Sequence, residues 1–386
     1  MAVPTLDIGV MFSTTGSYRA VGKALAAGAL LAVEEVDADA GLPIRLVPHQ
    51  VDPGGVTDNY RGMTAELLSS AGLSHVVGCY TSSSRKEVLP LFEKRDALLW
   101  YPSHYEGFET SDNVVYTGAA PNQHIVPLTD YVARRHGTRA WFVGSNYIWA
   151  WENNRIMRES LLSRGGTVLG ERYLPVGDTD LDDIIGQILK SRPDFVFVTL
   201  IGESAYAFFR RFRAEAERCG VDQAKEIPVV SCSLSEPELV EIGPEASAGH
   251  LSSSVYFESL DTVRNRRFVD SFRRRFPGVG PASADAEAAY IAVHLLARAV
   301  VAAGSADIDA VRAAVSEVSF AAPQGPVRID AENRHCYLRP RIGRSTAEGG
   351  FEVVFEAPAP VRPDPYLIWH SATEAQRADP GLRIVS

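Results

Sequence analysis

Twice in this chain, short apolar runs alternate with amphipathic stretches, and that rhythm leaves few folds open. Leu6 to Phe12 reads as a strand, residues 19–36 as an alanine-rich helix, and Ile44 to Val51 as the next strand. A helix near 59–70, a strand from His75 to Tyr80, a helix near 84–95 and a strand near 97–101 follow. From about residue 121 the rhythm resumes. Strands are expected at Arg139–Gly144, Val168–Leu174, Phe195–Leu200 and Ile227–Ser231, with helices over 151–164, 179–190 and 203–218. Such alternation predicts parallel sheets covered by helices on both faces.

At 386 residues the chain exceeds what one core usually holds, so two α/β lobes are expected. Past residue 257 the pattern changes to helices near 263–275, 284–302 and 307–316. Strands at Gly325–Ile329, Tyr337–Ile342 and Phe351–Phe355 follow, then a proline-punctuated tail. The chain then crosses between lobes near 118–124, 250–260 and 325–350. This divides it into residues 1–121 with 256–329, and 122–255 with 330–386.

Charge and cysteine content narrow the function. The formal net charge is -10, and only five lysines stand among 38 basic residues. No basic block exists to hold nucleic acid by charge. The densest run, Arg273-Arg274-Arg275, reads as a solvated helix face. Four widely spaced cysteines and no CxxC give neither a zinc knuckle nor a redox pair, and reduced thiols are expected. No basic region followed by an apolar stretch opens the chain, so no secretory leader is expected, and no run of about 20 apolar residues suggests a membrane helix.

Ligands in open α/β sheets sit beyond the carboxyl ends of the strands. That rule points to loops 13–18, 79–85, 101–108, 145–151 and 201–204. Cys79-Tyr80-Thr81-Ser82-Ser83-Ser84-Arg85-Lys86 joins a strand end to a helix start, which offers free N–H groups to a carbonyl or an anion. Ser82 can add a hydroxyl and Tyr80 an aromatic wall, while Ser83 or Ser84 can simply cap the helix. Trp100 to Phe108 holds four aromatics and His104; Tyr147, Trp149 and Trp151 form a matching loop in the second lobe. Facing aromatic loops enclose something small and weakly polar. Glu203 begins a helix near the same place, where it either takes an N–H from a ligand or caps its own helix. No G-x-S-x-G elbow surrounds Ser82, and His104, Glu106 and His124 are too few for a metal site, so neither catalysis, metal nor cofactor is expected.

These residues resemble the amide/urea branch of the type I periplasmic-binding-protein family, and most closely the amide sensors that act as negative regulators of amidase operons. The stretches that carry it are Val51-Asp52-Pro53-Gly54-Gly55, Val77 to Ser82, Tyr101-Pro102 with Tyr105-Glu106-Gly107, Ala119 to Gln123, Gly144 to Tyr147, Ala322 to Arg328 and Val361 to Tyr366. They span nearly all of the chain. The resemblance implies a type I periplasmic-binding-protein fold, two α/β lobes with parallel-sheet cores joined by a multi-strand hinge, closing on a ligand it does not transform. It implies contacts from Tyr80, Ser82, Tyr101 and Tyr147. His104 stands where the amide sensors have proline, and Trp149 where they have a second tyrosine, which puts the ligand's side group in question.

Two roles follow from the resemblance. One is a cytoplasmic sensor of short-chain amides that holds an RNA-binding antiterminator protein silent, itself touching no nucleic acid. The other is the periplasmic or extracellular substrate-binding component of an ABC importer, delivering urea, short amides or related amino compounds to a membrane permease. The expected absence of a leader points to the first. Self-association as a homo-oligomer is left open.

Overall fold

The computed structural model describes residues 4–368. The end of the expected tail, 369–386, lies outside them. In chain order the first lobe opens with β1 (Thr5–Met11), α1 (Arg19–Ala38), β2 (Arg45–Val51), α2 (Thr57–Ser69), β3 (His75–Gly78), α3 (Ser82–Arg95), β4 (Leu98–Tyr101) and β5 (Val114–Tyr116). The chain then builds α4 (Ile125–Arg135), β6 (Arg139–Ser145), α5 (Ile148–Leu162), β7 (Thr167–Leu174), α6 (Asp182–Ser191), β8 (Phe195–Thr199) and α7 (Glu203–Arg218). Next come α8 (Gln223–Glu226), β9 (Val229–Ser231), α9 (Glu236–Ile242), α10 (Pro244–Ser247) and β10 (Leu251–Ser254). It ends with α11 (Val263–Arg275), α12 (Ala284–Ala303), α13 (Ile308–Ala314), β11 (Ser319–Ala322), β12 (Gly325–Arg328), β13 (Arg341–Ser345) and β14 (Phe351–Glu356).

Two sheets result. The first is all parallel in the order β2-β1-β3-β4-β5. The second runs β14-β13-β10-β9-β8-β6-β7, parallel from β10 to β7, with β13 and β14 added antiparallel at one edge. This is the two-lobe type I periplasmic-binding-protein fold. Central strands β3, β4 and β8 are buried at every position, as continuous apolar runs require when helices cover both faces. Pro48 is tolerated because β2 is an edge strand. Strand membership switches sheets between Tyr116 and Arg139, between Ser254 and Ser319, and again between Arg328 and Arg341.

Several expected elements shift. Tyr337–Ile342 is mostly irregular, and β13 begins only at Arg341, just after Pro340, which has no N–H to give a ladder. β9 shrinks to Val229–Ser231 because Gln223–Glu226 form a helical turn before it. β5, β10 and β11 are too short to show a period of their own. Contrary to the sequence reading, α12 is long and apolar enough to cross a membrane, yet most of it is buried inside the fold. Its partner there is α1. A Cβ on Gly28 of α1 would lie 2.0 Å from the Ala286 carbonyl oxygen, so the two helices touch backbone to backbone. Gly28→Ala must push them apart; a cost of about 1–3 kcal/mol is expected. An unchanged chemical-unfolding midpoint would show the contact to be slack.

Candidate functional site

The carboxyl ends of both sheets face each other, and four loops build the space between them. The first begins at Cys79, whose positive φ of 67° turns the chain out of β3 while its N–H still bonds the Met11 carbonyl at 3.0 Å. The Cys79 thiol is fully buried, and burial pushes it up to about 12. It is a packed core group, not a nucleophile activated by the helix start. Tyr80 follows, its ring centroid 5.3 Å from that of Tyr18 at the start of α1. The cap of α3 is Thr81, rather than Ser83 or Ser84: its hydroxyl accepts the Ser84 N–H at 3.1 Å.

Ser82 is buried and already engaged within its own lobe. Its hydroxyl donates to the Glu106 carboxylate and accepts from Arg85 Nη1 at 3.4 Å. Arg85 lies between the rings of Tyr101 and Tyr105, 4.7 and 4.6 Å from their centroids. Its guanidinium donates to Glu109 at 2.6 Å and Glu106 at 3.3 Å. Burial opposes the charge of Arg85, but Glu106 and its neighbours outweigh it and hold the group firmly protonated. Burial would likewise raise Glu109, yet Arg85 and Lys86 bring it down to about 2. Beneath the Tyr80 loop, then, sits a closed network whose charges are matched.

The aromatic loop of the first lobe is mostly core. Trp100, Tyr101 and Tyr105 are fully buried, and Tyr101 donates its hydroxyl to the Tyr80 carbonyl at 2.8 Å. Tyr101 therefore positions Tyr80 from behind. Phe108 turns outward, its ring 6.4 Å from that of Tyr366. His104 of that loop reaches across, its ring 5.4 Å from Trp149 and 5.6 Å from His124. From the second lobe, Tyr147 stacks on Trp149 at 6.1 Å, while Trp151 faces solvent and bonds Asn146. The indole N–H of Trp149 is buried with no acceptor among the described residues.

Glu203 takes a role that neither sequence alternative contained. Its carboxylate pairs with Arg19 of α1 at 3.0 Å, across the mouth between the lobes, and Arg19 also lies 3.6 Å from Glu241 of α9. Both side chains are about 40% exposed, so the pair is a rim latch and not a pocket wall. Exposed pairs contribute little. Arg19→Ala is expected to weaken ligand binding by a few-fold at most, through faster release, without altering the unfolding midpoint. Stopped-flow release with an unchanged rate would remove the latch.

Sequence reasoning missed four groups here: Tyr18, Tyr206, Glu238 and, as a cleft group, Asp285. Glu238 and Asp285 come from different parts of the chain, and both act electrostatically on the Tyr80 hydroxyl, as does Tyr206. Glu238 was visible only as a helix-start signature, Ser235-x-x-Glu238, and its carboxyl does accept the Ser235 N–H at 2.9 Å. Burial raises Glu238 to about 8 and Asp285 to about 7, so both favour the neutral acid. Burial and then His124 push His104 down to about 3, which keeps it neutral. With His104 uncharged, its 3.9 Å separation from Asp285 is not a salt bridge. His104, His124, Cys232 and Asp285 line a cavity of about 20 Å³, room for one water-sized group. Among the described residues the Tyr80 and Tyr147 hydroxyls bond no protein group. The cleft therefore offers hydroxyl and indole donors, carboxyl acceptors and aromatic walls. Arg19 and Arg85, the guanidiniums nearest these residues in the chain and network, are both already paired.

With this geometry in place, comparison with known proteins is informative. The family profile described as "Periplasmic binding protein domain" matches residues 6–372. Leu/Ile/Val-binding protein homolog 6 of Brucella abortus is 22% identical over 343 residues, covering 86% of this chain and 87% of that one. A limonene hydroxylase of Geobacillus stearothermophilus is 30% identical over 138 residues, and the match spans only 25% of its length and 35% of this chain. Among solved structures, an ABC-transporter solute-binding protein of R. palustris in complex with 4-hydroxybenzoate superposes with a TM-score of 0.82, at 20% identity over 94% of this chain and 99% of that one. At that identity the likeness speaks for the fold.

Proposed function

Because the chain belongs to the periplasmic-binding-protein domain family, we propose that it is a non-catalytic receptor that closes on one small polar solute, serving as the substrate-binding component of an ABC importer for urea, short-chain amides or related amino compounds. One observation carries the choice of ligand: between the lobes stand tyrosine and indole donors and two buried acids that burial keeps protonated far above the usual carboxylate range, with the neighbouring guanidiniums already paired. The two relatives above that match most of this chain are named for branched-chain amino acids or hold 4-hydroxybenzoate, and each such ligand carries a carboxylate. Here the neighbouring guanidiniums, Arg19 and Arg85, are already paired, so a carboxylate finds no free cation among them. An amide or urea suits the cleft better. Its carbonyl accepts from hydroxyl or indole, and its NH2 donates to the carboxyl oxygens. A donor or acceptor buried without a partner costs about 1–3 kcal/mol, which selects against hydrocarbons.

The transport role rests on the company the fold keeps, since the structures named above include the solute-binding protein of an ABC transporter. The sensor role keeps one support, the Cys79-Tyr80-x-Ser82 and Tyr101-Pro102 stretches; no relative named above links the chain to an antiterminator. In the importer role the protein works outside the cytoplasmic membrane, and in the sensor role inside it. Calorimetric titration with urea, acetamide, propionamide and butyramide, beside leucine and 4-hydroxybenzoate, tests the ligand class. Heat from an amide or urea that drops in Tyr80→Phe is expected. Binding of leucine or 4-hydroxybenzoate alone would overturn the proposal.

A further inference from the structure

Helix α11 is the most basic element of an acidic chain, and the solute cleft makes no use of it. It carries six arginines in 13 residues. Arg266, Arg273 and Arg275 are neutralised by Asp261, Glu258 and Glu34. Arg264, Arg267 and Arg274 make no ion pair with any described carboxylate. With Ser271 they recur at i, i+3, i+7 and i+10, which puts them on one helix face about 15 Å long. That face forms one wall of a groove of about 510 Å³.

The opposite wall belongs to α12 and β11. Arg298 lies there, partly buried, its guanidinium 5.2 Å from the centre of the Phe320 ring and, like the other three, without a described carboxylate. Its Nε is buried and has no acceptor. The groove also holds Glu35, Asp39 and Asp270. Glu35 already accepts the Tyr290 hydroxyl and lies 3.6 Å from His294, and Asp39 accepts the Gly41 N–H at 2.8 Å. The groove thus sets four guanidiniums against three carboxylates, and Glu35 and Asp39 are already drawn into hydrogen bonds of their own. Planar guanidiniums match phosphoryl oxygens two at a time.

We infer that this groove binds a small elongated polyanion of the oligophosphate class. Four guanidiniums from two helices line one groove, which suits a compact chain of phosphoryl groups more than the flat face of a protein. The site lies outside the solute cleft and its occupancy does not depend on which solute the cleft takes.

Titration of the full chain with tripolyphosphate tests this, at low salt and again at 0.15 M, where screening is strong. Binding that weakens with salt is expected. Arg267→Ala and Arg298→Ala should each lower affinity roughly ten-fold, as expected for one charge-assisted contact, and Arg298→Lys should restore part of it. Arg339→Ala, a surface cation elsewhere, should change nothing. Unfolding midpoints of the variants show that the fold is kept. The proposal is overturned by no tripolyphosphate binding at low salt, by equal affinity in Arg267→Ala and Arg298→Ala, or by a glutamate-rich peptide binding where tripolyphosphate does not.

Discussion

Arg85→Leu is expected to lower the unfolding free energy by about 3–5 kcal/mol, because it leaves two carboxylates buried without their cation. Glu106 is almost fully buried, Glu109 is largely so, and the Arg85 side chain itself has no exposed surface. Lys86 sits 2.7 Å from Glu109 but 3.9 Å from Glu106, so it can rescue only one of them. The damage should reach the cleft, since Ser82 and the Tyr80 backbone are both held by this network. Adding Glu106→Gln to Arg85→Leu should recover part of the loss by removing one stranded charge. Guanidinium denaturation of the wild type and these two variants reads this directly. A loss below about 1 kcal/mol for Arg85→Leu would mean that water reaches the network.

Stability should also fall between pH 6.5 and 8.5. Burial raises Glu236 and Glu238 to about 8, and Asp285 and Glu287 to about 7. In the unfolded chain these acids ionise near 4. The folded state therefore binds more protons between those values, and stability drops as pH rises through 7 and 8. Buried histidines act in the opposite sense: burial lowers His75 and His124 to about 4, and His104, His250 and His335 to about 3. Their contribution grows as pH rises toward the unfolded value of 6.5 and is then complete. Below pH 6.5 the two sets offset one another, and above it only the acids remain. A loss on the order of several kcal/mol by pH 8.5 is expected. Thermal unfolding across this range checks it, and Glu238→Gln, which keeps the acceptor for Ser235, should flatten the slope. A midpoint that rises to pH 8.5 would rule out neutral acids in the cleft.

Two α/β lobes with parallel sheets could be read from the chain because fully buried strands write themselves as continuous apolar runs, such as Phe195–Thr199, and covering helices as amphipathic ones. The loops that flank the cleft followed from the rule that open sheets bind at their carboxyl ends. Which side chains of those loops face the cleft was not readable. Tyr101 and Trp149 look alike as aromatic loop residues, yet one supports a backbone carbonyl from behind and the other closes the space with His104. Glu203 became a latch only because α1 lies opposite α7, and Glu238 entered the cleft only because α9 docks beside it. Local sequence sets periodicity, and so lobes, strands and helix starts. The direction of a loop side chain, and the charge state of a buried acid, depend on neighbours from distant parts of the chain, and only the folded contact brings those together.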